Sequence, residues 1–220
     1  MKKRLLLFLC IFTLLLSTAA QAEDVTAADT SVPAPSAEKA DTLSPFARTR
    51  SYDGRFADVD ASAWYHDAVA ALYEYGLTEG VSSSAYAPEG SVTIAELVTF
   101  AARLHALERG AAIPAAAASE AWYRPYVRYL KAEKCLGDEL DGHYPEAATR
   151  AQMAGVLASA LSAECYDERN AEAVTVGYAS HRRITDVDDY TPYQNDILRL
   201  YKWGIVGGVD EDGSFHPNDT

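Results

Sequence analysis

Phe56-Ala57-Asp58-Val59-Asp60-Ala61-Ser62-Ala63-Trp64-Tyr65 is the most informative segment of the chain, because it returns as Ile184-Thr185-Asp186-Val187-Asp188-Asp189-Tyr190-Thr191-Pro192-Tyr193. Each copy opens on an apolar residue, carries Asp-Val next but one, and ends on tyrosine. A bare Trp122-Tyr123 marks a third occurrence that lacks the Asp-Val. Behind every opening, apolar residues recur at the spacing of one helix face. They are Trp64, Ala68, Val69, Leu72 and Tyr75; then Trp122, Tyr126, Val127 and Leu130; then Tyr193, Ile197, Leu200 and Trp203.

Working outward, Gly76-Leu77 and Gly204-Ile205 follow the first and third of these helices, where a glycine can take the left-handed conformation that closes a helix. The second has Lys134 at that place and Gly137 slightly later, so its end is expected to look different. Tyr86-Ala87-Pro88, His143-Tyr144-Pro145 and Phe215-His216-Pro217 then punctuate a turn-rich stretch. Thr93 with Glu96, and Thr149 with Gln152, fit the capping box that begins a helix. Leu97, Phe100, Ala101 and Leu104, and Met153, Val156, Leu157 and Leu161, follow as single apolar faces. The unit is therefore helix, loop, helix. The two tryptophans are 58 residues apart and the two capping threonines 56, the period of an array whose units cannot bury their apolar faces alone.

The flanks are of another character. Lys2, Lys3 and Arg4 precede an apolar run from Leu5 to Leu16 and then Ala20-Gln21-Ala22, the order of a cleavable export signal. The run is shorter than the roughly 20 residues a membrane-spanning helix needs. Residues 23–52, with Pro33, Pro35 and Pro45 among Ala, Ser, Thr and Asp, read as a flexible spacer. The expected organisation is signal peptide 1–22, spacer 23–52, repeat units 53–110 and 111–166, a linker 167–180, and a third unit 181–220. That last unit stops on Thr220, read as its own capping threonine, so its second helix is expected further on. Residues 23–220 alone are then expected to melt less cooperatively than a chain extended through that helix.

The chain of 220 residues holds 32 acidic against 19 basic residues, a net charge of −13. Losing residues 1–22, with three bases and no acids, takes it to −16. No basic footprint exists for nucleic acid. Three cysteines exclude a disulfide-rich scaffold. Cys135 and Cys165 remain after signal removal, either paired or simply small, partly buried side chains. The five histidines are scattered and no metal-binding motif or nucleophile signature occurs. The expectation is no catalytic residue, no metal and no cofactor in this segment.

Phe-x-Asp-Val, Trp-Tyr, Gly-Leu/Ile, aromatic-x-Pro and the Thr-Arg-Ala-Glu/Gln pattern, in one order behind an export signal, resemble the S-layer homology (SLH) domain over about residues 54–220. The resemblance implies an all-α protein whose three repeats form a pseudo-threefold helical bundle. It implies non-covalent anchoring at the cell wall through a secondary polysaccharide or peptidoglycan-associated polymer, often bearing pyruvate ketals, held in grooves between repeats. The alternative is the anchoring segment of an exported enzyme or surface-lattice subunit whose working domain lies beyond residue 220.

The candidate glycan-binding residues are Arg150, Thr149, Trp64, Tyr65, Asp58, Trp122, Tyr123, Asp186 and Tyr193. Arg150 stands in the first turn of a helix, where the dipole disfavours a cation. With free N–H groups at that helix start, its guanidinium would suit a carboxylate; the plainer reading is an arginine in solvent. The first unit has Ile94 at this place, so one such site is visible. Trp64 and Trp122 are read as core residues or as sugar-stacking rings, and Tyr65 and Tyr123, one position off the stripe, as better groove candidates. Asp58 and Asp186 are read as turn and cap formers or as polar groove contacts.

Overall fold

The computed structural model describes residues 47–162, 184–210 and 213–220. The export signal, residues 23–46, the linker at 167–180 and Cys165 lie outside them. Within them the protein is helical, with five helices: α1 (His66–Glu74), α2 (Ile94–Arg109), α3 (Arg124–Ala132), α4 (Arg150–Ala160) and α5 (Gln194–Lys202). No strand forms among the described residues; a single antiparallel bridge joins Thr93 to Ala147. None of these helices is long and apolar enough to cross a membrane.

Both expected capping boxes are present. Thr93 Oγ1 accepts from the Glu96 amide while Glu96 accepts from the Thr93 amide, and Thr149 and Gln152 do the same. The loop of the next unit completes each helix start. Ile94 and Ala95 donate to the carbonyls of Glu146 and Tyr144, both at 2.9 Å. Arg150 and Ala151 donate to those of Asp219 and Pro217, at 2.8 and 2.9 Å. The orphan donors of a helix N-terminus are thereby spent on the neighbouring unit. Tyr144 thus stands where Pro217 stands, five residues before Thr149. Thr220, three residues after Pro217, falls short of the capping register that the sequence pattern assigns to it.

Packing follows the same rule. α2 packs on α3 and α4, and α4 packs on α5. Nine residues of α4 are buried, including Ala151, Ala154, Gly155, Ala158 and Ala160. It is enclosed nearly all round, not on the one face the apolar spacing suggests. Gly155 has a specific reason. A Cβ there would lie 2.1 Å from Cδ1 of Tyr193, so the glycine leaves room for the ring that leads into α5.

The helix ends correct one expectation. Gly76 and Gly204 have φ of 71° and 69°, and Lys134 takes the same left-handed conformation at 60°. Cys135 donates to the Leu130 carbonyl at 2.8 Å, as Leu77 does to Leu72 and Ile205 to Leu200, both at 2.9 Å. α1, α3 and α5 therefore close with the same Schellman pattern. Lys134 does so against its stereochemical preference.

Residues 48–52, placed in the spacer by composition, lie against α1. Thr49 donates to the Glu74 carbonyl at 2.8 Å. Arg50 donates to the Tyr73 carbonyl at 2.7 Å, covers the Tyr73 ring at 3.8 Å and grips Glu79 with both terminal nitrogens at 2.9 and 3.0 Å. Arg55 bonds the Tyr73 hydroxyl. Tyr52 and Phe56 both pack edge-on against the same ring and lie tilted against each other. The segment is a strap across the end of α1.

Candidate functional site

The helix start at Thr149 and Arg150 is joined to the loop at 215–219. Arg150 is 4 % exposed. Its Nε donates to the Phe215 carbonyl at 2.6 Å and its guanidinium lies 4.7 Å from the centre of the Phe215 ring. Burial lowers its pKa to about 10, opposed by the nearby charges of Asp219 and Asp186. The arginine is charged at neutral pH, enclosed, and engaged with protein. This corrects both halves of the sequence picture: Arg150 is not in solvent, and the first amides of α4 are not free for a ligand carboxylate. The Thr149 hydroxyl is likewise used in its cap.

Asp58 and Asp186 form matching clasps. Asp58 accepts from the amides of Tyr86 and Ala87 at 2.9 and 2.7 Å. Asp186 accepts from those of Phe215 and His216, both at 2.6 Å. Ala87 and His216, each preceding a proline, are both left-handed, with φ of 59° and 56°. Each aspartate ties the opening of its unit to the aromatic-x-Pro corner about thirty residues on. Burial works against ionisation of Asp58, but its backbone donors outweigh it and hold the carboxyl below its ordinary value. These are long-range clasps, neither local turns nor helix caps.

The aromatic pairs stand apart from this frame. α1 begins at His66 and α3 at Arg124, so the tryptophans fall in the turn before each helix, outside the apolar face. Trp64 is 64 % exposed and Trp122 53 %, which overturns their reading as core residues. Each packs edge-on against its tyrosine, Trp64 on Tyr65 at 5.5 Å and 82°, Trp122 on Tyr123 at 5.6 Å and 89°. The half-buried tyrosines brace the exposed indoles. Tyr123 also lies 5.1 Å from Tyr144, whose hydroxyl bonds Asp141 at 2.6 Å and whose pKa burial raises to about 12, reinforced by that carboxylate. Before α5 the chain has Pro192 in place of the indole. Tyr193 there adopts φ of 59° and turns onto Gly155.

The structure therefore brings Thr149, Arg150, Asp186 and the 215–219 loop together, with Tyr193 further along α4. It places Trp64–Tyr65 and Trp122–Tyr123 as two separate exposed edges. Among the described residues no group of three or more His, Cys, Asp or Glu is arranged to hold a metal. Gly155 is the position that sequence reading passed over. Its only signal was a glycine inside an otherwise strong helix.

Residues 55–97 and 183–220 match the family model of the S-layer homology domain. Over 44 residues, 20 % of this chain, the sequence is 50 % identical to the Surface-layer 125 kDa protein of Lysinibacillus sphaericus, of which that stretch makes up 4 %. The two matched regions are the two that carry an Asp clasp and an aromatic-x-Pro corner, so family motif and geometry coincide in the same elements.

Proposed function

We propose that this chain is the attachment part of an exported cell-surface protein and holds to the cell wall non-covalently through a wall polysaccharide. The family matches support the cell-surface setting. The observation that carries the binding mode is the pair of exposed indoles, each braced edge-on by a tyrosine at an equivalent helix start. Large apolar rings held in water by a rigid support suit the apolar face of a sugar ring. Arg150, Thr149, Asp58, Asp186 and Tyr193 act as the frame of the groove, fixing the loops between which a polymer lies. The middle stretch, 111–166, is read as a unit of the same kind. Its capping box and the carbonyls it lends to α2 support that reading, although it lacks the aspartate clasp.

A bound polymer with carboxylates, such as a pyruvylated one, meets a chain of strong negative charge. Salt screens that repulsion beyond about 8 Å under physiological conditions, so wall attachment is expected to strengthen with ionic strength. Sedimentation with purified walls before and after removal of the secondary polymer tests the proposal. Retention on intact walls and release on stripped walls is expected. Equal retention on both would sink the polysaccharide reading.

A further inference from the structure

His105 lies in α2, 2 % exposed, with both ring nitrogens engaged. Nδ1 is 2.9 Å from the Tyr129 hydroxyl of α3, and the rings meet edge-on at 5.6 Å. Nε2 is 3.0 Å from Nε of Arg109, one turn further along α2. Arg109 has only N–H to offer, so Nε2 must accept and the proton must sit on Nδ1. The neutral imidazole thereby links Arg109 to Tyr129 across the seam between the first unit and the second. A protonated imidazole would turn a second N–H toward the Arg109 N–H and place two cations side by side at a partly buried contact.

We infer that His105 is a pH-sensitive fastener of the α2–α3 seam: its neutral form holds the ends of the two helices together, and its protonation releases them. The charged and titratable groups around it are Glu108 and Arg109 on α2, Tyr129 on α3, and Glu133 and Cys135 just beyond α3; α4, packed on α2, carries only Arg150. Burial and Arg109 lower the pKa of His105, with Glu133 and Glu108 acting weakly in the other direction. The sign follows. The unfolded chain takes up its proton near pH 6.5 while the folded chain resists it. The fastener contributes fully above that pH, and its contribution falls as pH drops from there toward the lowered folded value.

The test is the melting temperature of the full chain between pH 7.5 and 5.5, for the wild type and for His105→Gln, whose amide can donate to Tyr129 and accept from Arg109 without titrating. The wild type is expected to lose about 2–4 °C and the variant markedly less. An equal loss in both would overturn the inference. Ring-proton NMR of the wild type gives a readout that needs no variant. His105 is expected to titrate below 6.5, with the amides of Leu130 and Cys135 shifting at the same midpoint. Titration at or above 6.5, or amides indifferent to it, would refute the fastener.

Discussion

Arg150 is a cation in the first turn of a helix, buried, and about as poorly placed for the helix dipole as a residue can be. It is held there by the Phe215 carbonyl and ring. Removing it leaves a buried carbonyl without its donor, which costs about 1–3 kcal/mol. Arg150→Ala is therefore expected to lower the urea midpoint by a corresponding amount. A midpoint within error of the wild type would mean the contact carries no stability. That Arg150 was unusual could be read from sequence, since only the dipole argument was needed. What engages it could not, because Phe215 lies 65 residues away and no local rule connects them. The same holds for Asp58 and Asp186. Their positions before a helix suggested caps, whereas their partners lie across the loop. The tryptophans misled for a different reason: a helical spacing drawn from Trp64 or Trp122 assumes a helix that starts two residues later.

At the scale of elements, the capping boxes were fully legible, because a cap is a contact over three residues and the sequence contains both partners. The helix ends were legible where glycine stands and misread where Lys134 does, since the tertiary frame imposes the left-handed turn whatever the side chain. That imposition has a cost. Lys134→Gly removes a left-handed strain of about 1 kcal/mol, partly offset by the greater freedom of glycine in the unfolded chain. The variant is expected to be slightly more stable than the wild type in urea unfolding; a clear loss would show that the lysine side chain contributes something the backbone geometry does not reveal. The strap at 48–55 was hidden by its composition. Its hold depends partly on Glu79, whose carboxyl Arg50 keeps below the ordinary range. A depressed carboxylate contributes stability above its usual pKa and loses it as pH falls through the lowered value. Glu79→Gln should flatten that part of the acid limb of stability between pH 5 and pH 3, measured by urea midpoints; an unchanged limb would count against the strap's ionic grip.

Over the whole molecule, α2 and α4 each lend N-terminal amides to a loop further along the chain, at 144–146 and 217–219, and a flank to a later helix. The order of packing is α3, α2, α4, α5, with α1 bound by its strap. This serial plan was visible as a period in the sequence. The difference between its two capped helices was partly visible, in Ile94 against Arg150. It was completed by the structure, in Thr99, whose buried hydroxyl has no partner, standing where the other helix has Gly155 under Tyr193. Such a frame fixes loops and leaves the two indoles exposed, among the large apolar side chains that face outward with Val81, Tyr190 and Val209. Wall sedimentation of the double variant Trp64→Ala, Trp122→Ala, beside a melting curve, bears on this most directly. Truncating central aromatic anchors typically removes 2 kcal/mol or more, so wall affinity is expected to fall at least about tenfold with the melting temperature nearly unchanged. Undiminished wall binding by a folded double variant would contradict the assignment of these rings as the contact surface.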